Sequence, residues 1–237
     1  MNASQPALAF DGLVAGYGDT VVLRGVNAVL QPGQVLGVLG RNGVGKTTLM
    51  RALAGFLPLM RGHVSLLGVD LARVPAQRRL AAGLAYAPQE DTVFTDLSVA
   101  ENLRLHLNPR NAAEHAQRYA PYFEAFPRLL ERARQRAGSL SGGERKLLSF
   151  TRTLALHVGV SLLDEPTEGV QPENIDRMST LLRARCREGA AFVVVEQNLS
   201  FLDTIADQVL VLNHGECVLS GTRSAFSRDE LTRHLMV

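Results

Sequence analysis

The stretch GRNGVGKTTL, Gly40 to Leu49, follows without a break on the apolar run QVLGVLG. Its spacing is GxxxxGK[ST] and its context is strand, loop, helix, which together specify a phosphate-binding P-loop. Each part has a physical task. Gly40, Gly43 and Gly45 let the backbone turn so that successive N–H groups point inward at an anion. A helix beginning near Lys46 presents its positive end to the same anion. Lys46 is long enough to reach the β- and γ-phosphates, and Thr47 offers a hydroxyl to Mg²⁺. Arg41, Asn42, Val44 and Thr48 complete the candidate nucleotide-binding segment.

The rest of the chain has to supply a fold around that loop. ALAFDGLVAGYG, VVLRGVNAVLQPGQ and GHVSLLGVD read as short strands with tight turns. From Ser98 to about Arg136 the pattern is helix-like, with Ser98 and Glu101 spaced as a capping box. Asn108-Pro109 is expected to break that stretch, and Pro121 and Pro127 to interrupt the helices after it. A helix from about Glu144 to His157 leads into the strand VSLLD. Pro172 stands where the first turn of a helix tolerates it, Ile175, Met178, Leu182 and Cys186 form one apolar stripe, and Gly189 ends the helix. The strand AFVVV follows, then a short helix and a hairpin around Asn213 to Gly215. Strands alternating with helices predict an α/β fold with a mainly parallel sheet covered on both faces, into which the helical stretch is inserted.

Two strand ends carry polar residues. GVSLLDEP ends in Asp164 and Glu165. Read alone, these are either two solvated loop carboxylates or a metal-holding Asp beside a carboxylate that deprotonates water, and the upstream P-loop favours the second. AFVVV stops at Glu196, Gln197 and Asn198 with no Gly or Pro turn.

Composition excludes several classes. The net charge of +2 over 237 residues gives no field for nucleic acid or an anionic membrane. Cys186 and Cys217 form no CxxC and read as reduced thiols. The N-terminus has neither a basic segment nor a long apolar run, and no stretch approaches 18 uninterrupted apolar residues, so neither a signal peptide nor a membrane span is expected. Lys46 and Lys146 are the only lysines; every other basic residue of this type is arginine.

The segment LSGGERK, Leu140 to Lys146, decides the family. It resembles the LSGGQ signature of the ATP-binding subunits of ABC transporters, with Glu144 at the Gln position, and it lies just before the acidic strand. That resemblance covers nearly the whole chain. It implies a P-loop NTPase core of RecA type, an N-terminal antiparallel β subdomain and an inserted α-helical signature subdomain. One ATPase domain is expected over 1–237, with the core and antiparallel strands in 1–94 and 146–237 and the helical subdomain in 95–145. In the family, Leu140, Ser141, Gly142, Gly143 and Glu144 close over ATP held by the P-loop of a second subunit, so a head-to-tail dimer is implied, homo- or heteromeric. Tyr17 matches the aromatic that stacks on adenine, against the plain alternative of a core or turn tyrosine. Gln89 matches the glutamine that reaches Mg²⁺ and the attacking water, against an ordinary loop glutamine.

The resemblance therefore implies ATP and Mg²⁺ as cofactors. Thr47, Gln89 and Asp164 are the metal residues, and Glu165, Gln89 and Gln197 the catalytic ones. It also implies transmembrane permease partners docked near Gln89 to Glu101, indirectly a solute-binding protein, no nucleic acid, and a peripheral place on the cytoplasmic face of the inner membrane. TDLSVAENL, LLDEPTEGVQPENI and VVVEQN look like the ATPases of branched-chain amino-acid uptake, and DEPTEGVQP looks like the urea and short-amide branch. Two positions depart from the wider family: Gln171 where Asp is usual, and Gln197 where His is usual. None of the histidines, including His157 and His214, takes the second place. An exporter ATPase, such as a lipopolysaccharide-transport subunit, would use the same residues. A non-transport ABC ATPase is a third reading, expected to show tandem cassettes, coiled coils or basic extensions that this sequence lacks.

Overall fold

The computed structural model describes residues 5–90, 92–105 and 112–236. Strands β1 (Leu8–Tyr17), β2 (Thr20–Leu30), β4 (Leu59–Leu66) and β5 (Val69–Asp70) form an antiparallel sheet in the order β2-β1-β4-β5. A second sheet has the order β10-β9-β3-β8-β7-β6. Its strands are β3 (Val35–Leu39), β6 (Leu84–Ala87), β7 (Val160–Asp164), β8 (Ala191–Val195), β9 (Gln208–Asn213) and β10 (Glu216–Thr222). Pairing is parallel from β6 through β9, and β10 closes the edge as the antiparallel arm of the expected hairpin. The helices among the described residues are α1 (Lys46–Leu53), α2 (Ala76–Arg79), α3 (Val99–Arg104), α4 (Ala112–Ala125), α5 (Pro127–Glu131), α6 (Gly142–Ala155), α7 (Pro172–Arg187), α8 (Leu199–Ile205) and α9 (Arg228–Met236). This is the P-loop NTPase fold, with an antiparallel sheet beside a mainly parallel one.

Every residue of β3, β7 and β8 is buried, which explains why these strands read as continuous apolar runs rather than alternating ones. Alternate side chains feed two cores. Val35, Leu39, Phe192 and Val194 pack on the helical side with Leu148, Phe150 and Met178. Leu36, Val38, Val193 and Val195 pack with Leu49 and Met50 of α1 and with Leu8, Leu23 and Val64 of the antiparallel sheet. Each such burial contributes roughly 1.5–3 kcal/mol.

The register decides where chemistry can sit. Val38 pairs with Val195, and Val195 with Asp164. The carboxyl ends of β3, β7 and β8 therefore emerge side by side, delivering the P-loop, Asp164-Glu165 and Glu196-Gln197 to one edge, the usual ligand position in an open α/β sheet.

The helical stretch differs from the sequence expectation in two places. Pro121 lies inside α4 rather than interrupting it. Its missing backbone donor costs about 3 kcal/mol, offset by the buried Tyr119, Tyr122 and Phe126 that hold α4 and its C-terminus against the core. Helix α6 begins at Gly142, two residues earlier than Glu144, because Ser141 caps it: Glu144 N donates to Ser141 Oγ (3.3 Å) and Ser141 N to Glu144 Oε2 (2.9 Å). The expected capping box of Ser98 and Glu101 is present at α3, and Pro127 occupies the first turn of α5. Asn108-Pro109 lies outside the described residues. Both cysteines are free thiols, and burial pushes that of Cys186 up to about 11. Among the described residues no helix is long and apolar enough to cross a membrane.

Candidate active site

Gly40, Gly43 and Gly45 all take positive φ, and Gly45, at +109°, forms the N-cap of α1. A Cβ on Gly45 would also lie 2.9 Å from Leu23 Cδ2, so this turn needs glycine on both counts. The loop continues through the exposed Arg41 and Asn42 and the buried Val44, and Thr47 and Thr48 open α1 behind Lys46. Lys46 is buried, and its Nζ donates to the carbonyls of Gly40 (2.8 Å) and Arg41 (2.9 Å), tying the loop to the helix. Burial lowers its pKa, opposed by the carboxylates of Glu165, Asp164 and Glu196.

Asp164 is 1% exposed, and its Oδ1 has no hydrogen-bond partner. Burial raises its pKa to about 6, with the Glu165 charge adding to the rise; the Thr47 hydroxyl and the two lysines pull the other way. An orphaned, desolvated carboxylate oxygen beside a threonine hydroxyl is a costly arrangement by itself. It is a fitting one for a hard divalent cation such as Mg²⁺, which prefers oxygen ligands.

Glu165 has φ +48°, a left-handed conformation that costs a non-glycine residue of order 1–3 kcal/mol. Its carboxylate is held from both sides. Gln89 Nε2 donates to Oε2 (2.9 Å) and Gln197 Nε2 to Oε1 (3.0 Å). Lys46 Nζ lies 3.9 Å from Oε1. The same Gln197 amide donates to Asn42 Oδ1 of the P-loop (2.8 Å). Residues separated by more than 100 positions thus meet around one carboxylate.

Tyr17 stands at the end of β1, 47% exposed, with the Arg51 guanidinium 5.9 Å from its ring centroid. The segment Leu140–Glu144 lies elsewhere. Leu140 is buried, while Ser141 and Gly142 are exposed at the start of α6. A groove of about 760 Å³ opens there, with Ser141, Gly143, Gly169, Gln171 and Asn174 in its walls and no P-loop residue among them. The Glu144 carboxylate, besides capping α6, pairs with Arg132 at 3.2 Å. A Cβ on Gly143 would lie 2.4 Å from the Gly169 carbonyl oxygen, so that glycine permits the close passage of α6 and the loop before α7.

Two residues to which the sequence assigned no role belong to this constellation. Glu196 is buried, and its Oε1 accepts from Thr167 N (2.8 Å) and Thr167 Oγ1 (2.7 Å), its Oε2 from the N–H groups of Gln197 (3.1 Å) and Asn198 (3.3 Å). Burial raises its pKa against those bonds. Lys146 reaches the main chain of Gln89 and Glu165. Its rarity in an arginine-rich chain was the available signal.

A P-loop between β3 and α1, the acidic end of β7 one strand beyond β8, and a second glycine-bearing helix start define a nucleotide hydrolase of the ATP-binding cassette class. The model of the ABC transporter family matches residues 23–168, and the chain belongs to that family. It is 33% identical over 226 residues to the high-affinity branched-chain amino acid transport ATP-binding protein BraG of Pseudomonas aeruginosa, covering 95% of this chain and 97% of that one. It is 31% identical over 231 residues to the lipopolysaccharide export system ATP-binding protein LptB of Acidithiobacillus ferridurans, covering 96% and 95%. A solved structure of the ATP-binding subunit of an ABC transporter superposes with a TM-score of 0.87 at 26% identity, covering 98% of this chain and all of that one. The protein is an ABC transporter ATP-binding subunit, and its class of activity is ATP hydrolysis.

Proposed function

We propose that this subunit powers a solute importer, hydrolysing ATP at a head-to-tail interface with a second ATPase subunit. The observation that supports the hydrolytic assignment is the pair of amide donors, Gln89 and Gln197, on the two oxygens of Glu165. They leave the remaining lone pairs of the carboxylate for water, so Glu165 serves as general base. Lys46 and the P-loop amides bind the phosphates, Tyr17 offers a ring face to adenine, and Ser141 to Gly143 of the facing subunit cover the γ-phosphate. Thr47, Asp164 and Gln89 would hold Mg²⁺. When bound, that ion neutralises charge on the β- and γ-phosphates. Gln197, joined to Asn42, keeps the base in register with the phosphate loop.

Docking to permease subunits near Gln89 to Glu101, on the cytoplasmic face of the membrane, would transmit opening and closing. The resemblance to a branched-chain amino-acid uptake ATPase supports import of branched-chain amino acids, or of urea or short amides. The similarity to LptB supports export as the second reading. The division into core (1–94, 146–237) and helical subdomain (95–145) belongs to the same proposal.

The test is Glu165→Gln, which should retain ATP binding and stop turnover. Wild-type turnover in that variant would remove Glu165 from the general-base role. In vesicles carrying the co-purified permeases, stimulation of ATP hydrolysis by a branched-chain amino acid, urea or a short amide would support import. Stimulation by a lipid substrate alone would support export.

A further inference from the structure

Lys146 lies in the second turn of α6, five residues beyond Ser141, with its side chain 11% exposed. Its Nζ donates to the Gln89 carbonyl (2.9 Å) and the Glu165 carbonyl (2.9 Å) and sits 3.5 Å from Glu168 Oε2. A solvated surface lysine would make none of these main-chain bonds. An ammonium gathers three donors at one point, which a planar guanidinium does not. In a chain that uses arginine for side chains of this charge everywhere but here and at Lys46, the position that needs convergent donors carries lysine.

The bonded atoms give the contact its meaning. Glu165 holds a left-handed backbone, and such conformations persist where surrounding bonds over-determine them. On its amide side Glu165 N donates to Val195 O (2.9 Å). On its carbonyl side the local bond from Glu168 N is long, 3.4 Å, and the short bond comes from Lys146. The same ammonium holds the carbonyl of Gln89, whose side chain orients the Glu165 carboxylate. One cation therefore cross-links the main chains of two residues whose side chains are already bonded to each other.

We infer that Lys146 is a positioning residue for hydrolysis, fixing Glu165 and Gln89 from the helix that begins with Ser141-Gly142-Gly143. The inference rests on the reading of Glu165 as the general base. Because α6 is one continuous helix, a displacement of its exposed start on meeting a second subunit reaches both residues through this ammonium.

The experiment compares the full-length wild type with Lys146→Met and Lys146→Gln. A cysteine variant, Lys146→Cys in a chain also carrying Cys186→Ser and Cys217→Ser, is alkylated with 2-bromoethylamine to restore an ammonium at the same reach. Hydrogen exchange reads positioning without requiring turnover. In Lys146→Met, peptides over residues 86–90 and 164–169 should exchange on the order of 10-fold faster, with the remaining peptides unchanged. Turnover should fall on the order of 10- to 100-fold, as for a displaced reacting group. ATP affinity should stay within about 3-fold, the split expected of a residue that acts on the chemical step. Lys146→Gln, with two neutral donors on a shorter side chain, should fall between, and aminoethylation should restore both readouts. Unchanged exchange in those peptides overturns the inference. So does a loss of ATP affinity and thermal stability in step with turnover, which would mark Lys146 as structural. If wild type binds ATP without hydrolysing it, the reading of Glu165 fails on its own, and the exchange arm still decides whether Lys146 holds the two segments.

Discussion

Gln197 Nε2 donates a 3.0 Å hydrogen bond to Glu165 Oε1, joining the end of β8 to the end of β7 across adjacent strands. The other oxygen accepts from Gln89, so both oxygens of the carboxylate are held. Gln197→Ala should lower turnover on the order of 10- to 100-fold with ATP affinity within about 3-fold. Gln197→His should be tolerated, since an imidazole N–H can replace one amide donor, but histidine titrates near pH 6.5 and glutamine does not. A pH–rate profile of Gln197→His should therefore carry an inflection that the wild type lacks. A large loss of ATP binding in either variant would count against this role.

Glu196 belongs to the same loop but faces inward. Its two oxygens accept four hydrogen bonds, two from Thr167 and two from the amides of Gln197 and Asn198. Removing the carboxylate leaves buried donors unpaired, so Glu196→Ala should lose about 2–4 kcal/mol of stability by urea denaturation. Glu196→Gln should lose less, since one oxygen still accepts; its amide nitrogen cannot accept from the second pair. Equal stability of all three proteins would show that these bonds contribute nothing net.

Much of this arrangement was legible in the sequence because local chemistry and local structure agree there. Gly40 to Thr48 announces itself by spacing, and β7 and β8 announce themselves by apolar runs that stop at charged or amide side chains. α6 begins at Gly142, two residues before the expected start near Glu144, because the capping box of Ser141 and Glu144 holds a first turn whose Gly142 and Gly143 are poor helix formers, each costing about 1 kcal/mol relative to alanine. Pro121 is the converse case, a strong local rule outweighed by tertiary packing. The links of Lys146 and Glu196 were not legible at all. They join residues 19 to 57 positions apart, and nothing near either residue indicates its partner.

Gly142 and Gly143 are neighbours with opposite surroundings. A Cβ on Gly142 meets nothing within 4 Å, whereas one on Gly143 lies 2.4 Å from the Gly169 carbonyl oxygen. Gly142→Ala should leave the urea midpoint unchanged or slightly raised, because alanine is the better helix former. Gly143→Ala must push α6 from the loop before α7, at a cost of about 1–3 kcal/mol. Equal midpoints for the two variants would mean that this close passage carries no strain when filled.

Burial raises the pKa of Asp164 from 3.8 to about 6. Between these values the folded chain keeps a proton that the unfolded chain has released. The stability this group contributes is complete below about pH 4 and is lost as pH rises through about 6. The loss is on the order of 3 kcal/mol, since each pKa unit is worth about 1.4 kcal/mol. Asp164→Asn removes the desolvated charge and should therefore stabilise the nucleotide-free protein at pH 7.5 by about 1–3 kcal/mol while flattening its stability between pH 4 and 6.5. Glu196 is raised in the same direction, so a shallower slope remains in the variant. The gain comes at the expense of function: addition of ATP with Mg²⁺ should raise the melting temperature of the wild type and leave that of Asp164→Asn nearly unchanged. Chemical denaturation across pH, with and without MgATP, measures both effects on the same two proteins. A variant that is less stable at pH 7.5, yet still stabilised by MgATP, would mean that the Asp164 carboxylate serves the fold rather than the nucleotide site.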